Sequence, residues 1–298
     1  MMKGRVFITG RHGFTGCYVA DVLTAAGWEV WGLGANLPQE AGSCDREADL
    51  TDFDALSQVL EEVRPDAVVH LAAVAFVAHG SVDDFYRVNL MGTRNLLGAL
   101  ALGGYGGKGV VLASSANIYG NTKVNPISEN VPPAPANDYA VSKLAMEHMA
   151  QLFANDLPIV IARPFNYTGV GQDPKFLVPK IVSHFRDRAA RIELGNLDVA
   201  RDFSDVRDVA RVYGALLDTE AAHGKTLNIS SGHAISLEAI IDMCRELTGH
   251  DIEVVTNPAF VRDDEIKTLK GDPSRLEALI GGLTRRPFED TLRWMLEA

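Results

Sequence analysis

The stretch Thr-Gly-Arg-His-Gly-Phe-Thr-Gly at residues 9–16 decides the fold. It directly follows an apolar, β-branched segment, Arg5–Thr9, and it leads into an amphipathic segment of helical length, Thr15–Ala26. Glycines at this spacing let the backbone turn tightly and approach a phosphate, which then lies against the free N–H groups at the start of the helix. A glycine triplet alone is weakly predictive. Between the first strand and first helix of a β-α-β unit, it predicts a site for the diphosphate of a dinucleotide.

Short apolar runs alternate with amphipathic segments through the first half of the chain, which is the pattern of a parallel sheet with helices on both faces. The predicted strands are Arg5–Thr9, Glu29–Leu33, Ala67–Leu71, Gly109–Ala113, Ile159–Ala162 and Thr226–Ile229. The predicted helices include Thr15–Ala26, Phe53–Glu62, Phe85–Leu102 and Asp138–Asn155. We therefore expect the α/β class, with a Rossmann-like doubly wound parallel sheet and a smaller C-terminal substrate-binding lobe.

The alternation weakens after Arg163-Pro164, where loops containing glycine and proline separate isolated helices. Residues 1–164 are predicted to form the dinucleotide-binding domain. Residues 203–231 are predicted to return to its sheet, because they contain a further helix and a further strand. Residues 165–202 and 232–298 are predicted to form the smaller lobe.

The composition excludes several classes of protein. The chain has 298 residues, 47% of them hydrophobic, and a formal net charge of −11. This charge repels nucleic acids and anionic membrane surfaces, so we expect neither as a partner. Cys17, Cys44 and Cys244 show neither disulfide nor metal-ligand spacing, and no stretch resembles a signal peptide or a membrane span. A cytoplasmic protein without a metal site is expected.

The end of the second predicted strand indicates which dinucleotide to expect. An NAD-specific enzyme usually presents Asp or Glu there to the ribose 2′-hydroxyl. Residues 30–36, Val-Trp-Gly-Leu-Gly-Ala-Asn, contain no carboxylate. Arg11, in the glycine turn, is suited to pair with a 2′-phosphate through a charge-assisted fork, although a solvated loop arginine is the alternative. NADP (NADPH) is therefore the expected cofactor, with NAD as the second choice.

Tyr139 and Lys143 are four residues apart at the start of a predicted helix, for which Asn137 or Asp138 is a suitable N-cap. This spacing places both side chains on one helical face. A tyrosine with a pKa of about 10 is a poor acid or base at neutral pH, but an ammonium about 4 Å away contributes on the order of 4 kcal/mol at an effective dielectric of about 20. Since one pKa unit corresponds to about 1.4 kcal/mol, the lysine is expected to lower the tyrosine pKa by up to about three units before desolvation.

The predicted strand Gly109–Ala113 ends at Ser114 and Ser115. A hydroxyl at the carboxyl end of a strand can donate to the same substrate oxygen that a catalytic tyrosine contacts. Neither the serine nor the Tyr/Lys spacing is specific alone, but their order after the glycine turn favours a catalytic site. His70, near the end of the predicted strand Ala67–Leu71, is expected to be a packed residue.

The order of these motifs resembles the extended short-chain dehydrogenase/reductase family of nucleotide-sugar epimerases, dehydratases and reductases, over essentially the whole chain. In single-letter code the motifs are TGxxGxxG, DL, HLAA, SSxxxYG, YxxxK and RPFNxxG. The resemblance implies that Ser115, Tyr139 and Lys143 form a catalytic triad and that Asn89 is a structural asparagine near the active site. It also implies a set of cofactor-binding residues. They are Gly10, Arg11, Gly13, Phe14, Thr15, Gly16, Asp49, Leu50, Leu71, Ala72, Ala73, Asn89, Tyr139, Lys143 and Arg163.

The residues after Ser115 narrow the reaction that the family resemblance implies. In the family's 4,6-dehydratases a carboxylate there removes the C5 proton, whereas this chain has Ala116 and Asn117. An amide cannot act as that base, so dehydration is disfavoured. The favoured hypothesis is NADPH-dependent reduction of the C4 ketone of a GDP-4-keto-6-deoxyhexose. The alternative is a nucleotide-sugar 4-epimerase that acts on a GDP- or UDP-hexose with tightly bound NAD(P). A non-catalytic cofactor-sensing module is a third interpretation, which the intact Ser115, Tyr139 and Lys143 oppose.

Segments 163–172, 194–203 and 262–273 resemble the branch that contains GDP-mannose dehydratases and GDP-4-keto-6-deoxymannose reductases. The likeness implies that Asn166 and Arg201 contact the diphosphate, and that a second arginine and a glutamate contact a phosphate and a ribose hydroxyl. A surface ion pair is the alternative for each arginine. The implied substrate-binding residues are Asn117, Asn166, Val178, Asn196, Arg201, Arg262 and Glu265.

The segment Val74–Val77 is apolar, which suits the C6 methyl group of a 6-deoxy sugar, although it also suits simple packing of the loop. The predicted helices Phe85–Leu102 and Asp138–Asn155 carry more apolar residues than one sheet face needs. With the family resemblance, this excess predicts a homodimer formed through paired helices.

Overall fold

The computed structural model describes residues 2–75, 81–260 and 267–298. The α-helices are α1 (Phe14–Ala25), α2 (Phe53–Val63), α3 (Val82–Asp84), α4 (Thr93–Gly103), α5 (Asp138–Ala150), α6 (Leu177–Arg186), α7 (Val206–Leu217), α8 (Leu237–Thr248), α9 (Ser274–Ile280) and α10 (Phe288–Glu297). The strands are β1 (Gly4–Thr9), β2 (Trp28–Gly34), β3 (Asp45–Glu47), β4 (Ala67–His70), β5 (Gly109–Ala113), β6 (Ile159–Pro164), β7 (Asn166–Thr168), β8 (Arg191–Leu194), β9 (Ala200–Asp205), β10 (Thr226–Ile229), β11 (Ala234–Ser236), β12 (Glu253–Thr256) and β13 (Thr268–Leu269). A π-helix spans Phe85–Gly92, and 3₁₀ turns span Ala116–Tyr119, Gln151–Phe153, Glu220–Ala222 and Pro258–Phe260.

A seven-stranded parallel sheet, in the order β10-β6-β5-β4-β1-β2-β3, forms the centre of the fold. Both faces are covered, so the central strands β1, β4 and β5 consist mainly of apolar residues. Successive side chains of β1 point alternately into two apolar cores, one on each face of the sheet. Val6 and Ile8 belong to the core that contains α1 and α7, whereas Phe7 belongs to the core that contains α2 and α4. The predicted α/β, Rossmann-like class is confirmed.

The helix predicted over Phe85–Leu102 is not a uniform α-helix. Its first half, Phe85–Gly92, is π-helical, and α4 begins at Thr93. The apolar pattern that predicts a helix is too coarse to separate the two types. π-Helical turns are frequent at functional sites. This π-helix contains Asn89.

Residues 203–231 contribute α7, which packs on α1, and β10, which pairs with β6 at the edge of the sheet. β9 pairs with β7, β11 and β13, and β8 pairs with β12 in a separate two-stranded sheet. A second apolar core lies among α6, α8 and α10. The division of the chain into domains stays a prediction. The carboxyl ends of β1, β4, β5 and β6 meet at one edge of the main sheet, which is where α/β folds bind ligands.

Candidate active site

The glycine turn between β1 and α1 forms a cradle that fits a diphosphate. Gly10 has a φ of +71°, a left-handed conformation that favours glycine. A Cβ on Gly16 would lie 2.1 Å from the carbonyl oxygen of Gly10, so only glycine fits there. Helix α1 begins after Gly13 with no side-chain cap and no acidic residue in its first turn, which leaves its first N–H groups for an anion. Phe14 and Thr15 open the helix and are half-buried.

A carboxylate from β3 lies beside β2. Gly32 stands opposite Asp45 in the parallel pairing, and the Asp45 side chain is 1% exposed. Nη1 of Arg11 donates to both oxygens of Asp45 at 2.8 Å, and Nε2 of His12 lies 3.2 Å from Oδ2. A Cβ on Gly32 would lie 2.2 Å from Asp45 Oδ1 and 2.4 Å from Arg11 Cδ, so the glycine makes room for this pair. Residues 30–36 contain no carboxylate, but the pairing of β3 with β2 places Asp45 beside them.

Arg11 stays partly accessible although it is ion-paired. Its side chain is 29% exposed, whereas its Nε is a buried atom without a hydrogen-bond partner among the described residues. Arg11 therefore remains a candidate for contact with a 2′-phosphate.

Asp49 and Leu50 follow β3 at the same edge of the sheet. Asp49 is exposed and Leu50 is buried. The N–H of Thr51 donates to Asp49 at 2.8 Å, which holds the pKa of that carboxyl below its usual range.

His70 is a packed residue, as expected. Its Nδ1 lies 2.6 Å from Thr9 Oγ1 and its Nε2 lies 2.7 Å from Thr93 Oγ1. Burial lowers the pKa of His70 to about 3, so the ring is neutral at physiological pH. It joins β4 to β1 and α4 and leaves no ring nitrogen for catalysis.

Leu71, Ala72 and Ala73 follow β4 and are half-buried. The N–H groups of Leu71 and Ala72 donate at 3.2 Å to the carbonyl and hydroxyl oxygens of Thr9. A Cβ on Gly10 would lie 3.0 Å from Ala72 Cα. The glycine turn and this small-residue segment therefore approach each other closely and form two sides of one groove.

The structure brings Ser115, Tyr139 and Lys143 together at the carboxyl end of β5. The side chain of Ser115 is hydrogen-bonded to Tyr139 and also accepts from the N–H of Asn117 at 3.1 Å. Nζ of Lys143 donates to the carbonyl oxygen of Ala113 at 2.8 Å. All three side chains of the predicted triad are buried. A hydroxyl, a phenol and an ammonium thus share one water-poor corner.

Helix α5 presents two members of this group from one face. Its N-cap is Asn137, one of the two expected residues, whose side chain accepts from the N–H of Ala140 at 2.9 Å. The cap fixes where the helix begins. It thereby fixes the direction in which Tyr139 and Lys143 project.

The protonation of Tyr139 differs from the sequence-based expectation. Burial raises the pKa of Tyr139 to about 12, although the hydrogen bond with Ser115 opposes the rise. Burial also lowers the pKa of Lys143 to about 8. The expectation that the ammonium lowers the phenol pKa was wrong, because desolvation dominates the shift and the influence that opposes it is the hydrogen bond with Ser115. Tyr139 is protonated at neutral pH, as a proton donor must be.

A buried ion pair joins the catalytic helix to β6. Arg163 donates through Nε and Nη2 to Glu147 at 2.9 and 2.6 Å, and the two side chains are 8% and 7% exposed. Glu147 also accepts from Ser114, and Nη1 of Arg163 donates to Tyr119 at 2.8 Å. Arg163 was expected to bind the cofactor. The structure holds its guanidinium in bonds within the protein, and its contact with the cofactor stays a prediction.

Asn89 has a structural role. Its Oδ1 accepts from the N–H of Val74 at 2.8 Å, and its Nδ2 donates to the carbonyl oxygen of Val74 at 3.0 Å and to Ser142 at 3.1 Å. These bonds join the loop after β4 to α5. They satisfy the amide within the protein, so Asn89 positions this loop relative to α5. Its contact with the cofactor stays a prediction.

The predicted substrate-binding residues lie on several elements. Asn117 and Asn166 are exposed, and Asn196 and Arg201 are half-buried. Val178 is 2% exposed and its side chain packs in the core around α6. Its contact with a substrate stays a prediction.

Arg262 and Glu265, like Phe76 and Val77 of the apolar segment, lie outside the described residues. Within 2–75, 81–260 and 267–298, no cluster of His, Cys, Asp and Glu could hold a metal ion. None of the helices in these ranges combines the length and apolarity that crossing a bilayer needs.

Asp45 and Glu147 were not predicted from the sequence. Glu147 stands four residues after Lys143, so helical spacing alone would place the two on one face. Asp45 carries no such signal, because β3 has three residues and none of them is apolar.

Two curated relatives resemble this chain over nearly its whole length. It is 36% identical to the GDP-6-deoxy-D-talose 4-dehydrogenase of Aggregatibacter actinomycetemcomitans, over 93% of this chain and 91% of the relative. It is 33% identical to the GDP-6-deoxy-D-mannose reductase of Pseudomonas aeruginosa, over 99% of this chain and 97% of the relative.

The fold is also similar to a solved structure, RMD from Pseudomonas aeruginosa complexed with NADPH. The TM-score is 0.86 at 32% identity, over 98% of this chain and 97% of that one. Residues 6–230 match the model of the NAD dependent epimerase/dehydratase family. The glycine cradle, the catalytic corner and these matches agree, and the chain belongs to this NAD(P)-dependent, extended short-chain dehydrogenase/reductase family of nucleotide-sugar-modifying enzymes.

Proposed function

We propose that this enzyme uses NADPH to reduce the C4 ketone of a GDP-4-keto-6-deoxyhexose and forms a product of the GDP-6-deoxy-D-mannose (rhamnose) type. The observation that carries the proposal is the protonated phenol of Tyr139, hydrogen-bonded to Ser115 in a buried corner. Reduction of a ketone needs one hydride on carbon and one proton on oxygen. A phenol that keeps its proton at neutral pH is suited to the second task.

Each residue of the corner has a part in that reaction. Bound NADPH supplies the hydride. Ser115 donates a hydrogen bond to the ketone oxygen, and Tyr139 transfers its proton to that oxygen as negative charge develops there. The ammonium of Lys143 stabilises the phenolate that remains. The balance is ketone plus NADPH plus a proton, giving alcohol plus NADP⁺.

The relatives and the residues after Ser115 support a GDP-6-deoxyhexose. The two curated relatives are named for redox chemistry on GDP-6-deoxyhexoses. Their sugars, 6-deoxytalose and 6-deoxymannose, differ only in configuration at C4, so one 4-keto compound connects both. Ala116 and Asn117 supply no carboxylate for dehydration.

The test is incubation of the purified enzyme with GDP-4-keto-6-deoxymannose and NADPH. We expect one NADPH oxidised per sugar reduced, and the configuration of the product at C4 is read by NMR. Tyr139→Phe is expected to fold and to lose about 10²- to 10⁴-fold in turnover, since it lacks the proton donor. If NADPH is not consumed while GDP- or UDP-hexoses interconvert at C4, the enzyme is a 4-epimerase and the proposal fails.

We also propose that the enzyme is a homodimer. Four large apolar side chains are exposed on the helical segments around α4 and α5. They are Met91 in the π-helix, Leu102 in α4, Val141 in α5 and Leu152 in the 3₁₀ turn that follows α5. Apolar side chains on two neighbouring helices are suited to pairing with a second copy. Light scattering that gives the monomer mass at all concentrations would contradict this.

A further inference from the structure

Glu147 is a buried carboxylate that the proposed reaction does not use. It follows Lys143 by one turn of α5, and the two residues are 6% and 4% exposed. Their side chains hold two successive residues at the end of β5. Nζ of Lys143 donates to the carbonyl oxygen of Ala113 at 2.8 Å, and the hydroxyl of Ser114 donates to Glu147. The carboxylate therefore lies on the same face of α5 as the ammonium that serves the catalytic corner.

The ion pair of Glu147 with Arg163 presents its two charges unequally to Lys143. Glu147 extends from the helix that carries Lys143, whereas Arg163 extends from β6 and also bonds to Tyr119. Burial lowers the pKa of Lys143 to about 8, and the charge of Glu147 acts against this fall. The negative member of the pair is thus the one that acts on the lysine.

The other titratable groups around Lys143 do not supply a buried negative charge. Several of them are uncharged at neutral pH. They are Tyr139 on α5, Tyr119 on the 3₁₀ turn Ala116–Tyr119, Tyr86 on the π-helix and His70 on β4. The remaining ones on α5, and on the π-helix and α4 that pack against it, are exposed, so water and salt screen their charges. They are Asp138 and His148 on α5, Arg87 on the π-helix and Arg94 on α4.

We propose that Glu147 is a positioning residue for the proton transfer, because its carboxylate keeps Lys143 in the ammonium form that stabilises the phenolate of Tyr139. The bonds from Arg163 and Ser114 occupy the carboxylate, so Glu147 acts through Lys143 and touches no reacting atom. This inference rests on the role that we propose for Lys143 and not on the identity of the sugar.

The experiment measures the pKa of Lys143 by ¹³C NMR in enzyme labelled at the lysine Cε atoms, without any sugar. Lys143→Arg assigns the signal, which is expected to titrate near pH 8, while exposed lysines titrate near 10.4. Glu147→Gln keeps the shape of the side chain and removes its charge. Loss of a charge about 6 Å away, at an effective dielectric of about 20, is expected to lower the pKa of Lys143 by about one to two units.

Arg163→Met breaks the same ion pair from its other side. It leaves the carboxylate uncompensated, so it is expected to raise the pKa of Lys143 by up to about one unit. A purely structural role of the pair predicts shifts in one direction for both variants, whereas a role of charge predicts opposite directions. Ser114→Ala is the matched control, because it removes one bond to Glu147 but neither charge, and the pKa of Lys143 is expected to stay near 8.

Shifts of the same sign in Glu147→Gln and Arg163→Met, or no shift in either, would overturn the inference. If circular dichroism shows that Glu147→Gln does not fold, Arg163→Met decides alone. A rise in the pKa of Lys143 then supports the inference, and an unchanged or lower value contradicts it. Because the titration needs no sugar, failure here leaves the proposed reduction standing, and failure of the reductase assay leaves the measured pKa values standing.

Discussion

Two arginine–carboxylate pairs stand at opposite ends of the cofactor groove, and they are built differently. At the catalytic end, the Arg163 and Glu147 side chains are 8% and 7% exposed, and further bonds to Ser114 and Tyr119 enclose them. At the other end, beside the glycine turn, Asp45 is 1% exposed but its partner Arg11 is 29% exposed. One pair is closed within the protein and the other leaves its arginine partly accessible.

The difference shows what burial does to an ion pair. Two charges taken fully from water must satisfy each other, so such a pair positions the elements that carry it and does not bind ligands. A pair with one partner at the surface can share its guanidinium with an incoming anion. We therefore expect changes at Arg163–Glu147 to act on folding, and changes at Arg11–Asp45 to act on choice of cofactor.

The largest effect is expected from Glu147→Leu. It leaves the Arg163 guanidinium buried without a counter-charge, which is expected to lower the free energy of unfolding by about 3–5 kcal/mol in urea titrations. The double variant Glu147→Leu/Arg163→Met is expected to recover most of that loss, because no buried charge remains. Asp242→Leu, in an exposed pair with Arg245, is the control and should cost below about 1 kcal/mol. Equal losses in Glu147→Leu and Asp242→Leu would contradict the comparison.

An effect of intermediate size, on the KM for the cofactor, is expected from Arg11→Ala. Loss of a charged hydrogen bond to the 2′-phosphate, worth about 1.5–3 kcal/mol, should raise the KM for NADPH by about ten- to a hundredfold. NADH has no 2′-phosphate, and the freed Asp45 carboxylate can accept its 2′-hydroxyl, so the KM for NADH should stay level or fall. Arg5→Ala is the control, since Arg5 donates to Glu29 and Val63 at the other end of β1. Equal weakening of both cofactors by Arg11→Ala would show that Arg11 does not distinguish them.

Features of the site that depend on neighbours in sequence could be predicted, and those that depend on distant contacts could not. The glycine turn, the strand that precedes it and the Tyr139–Lys143 spacing are local, so pattern alone located them. Asp45 meets Arg11 only because β3 pairs with β2, and three polar residues carry no sign of that pairing. The burial of Val178 could not be predicted for a related reason, since the sequence does not show which side of α6 is buried.

The protonation of the catalytic corner could not be predicted because it depends on burial. The Tyr139–Lys143 spacing predicted correctly that the two side chains share one helical face. It predicted the wrong direction for the pKa of Tyr139, because the spacing does not show how far the phenol is buried from solvent. Burial acts oppositely on the two groups, raising the pKa of the phenol and lowering that of the ammonium. This gives the buried end of the groove a pH response that the exposed end lacks.

The smallest effect is therefore a pH dependence confined to the catalytic end. With the pKa of Lys143 at about 8, the ammonium is lost as pH rises through that value, while Tyr139, with a pKa of about 12, keeps its proton. We expect kcat for reduction to fall about twofold by pH 8 and about tenfold by pH 9. The dissociation constant of NADPH should stay level over the same range, since an arginine keeps its charge.

Unfolding does not explain such a fall in kcat. In the folded protein Lys143 loses its proton near pH 8, whereas an unfolded lysine keeps it up to its ordinary pKa of 10.5. Between these values the unfolded state binds more protons, so this group makes the free energy of unfolding rise with pH while activity falls. Lys143→Arg, which keeps its charge, is expected to have lower activity but no fall near pH 8. The same fall in Lys143→Arg would assign the titration to another group and remove the pH contrast between the two ends of the groove.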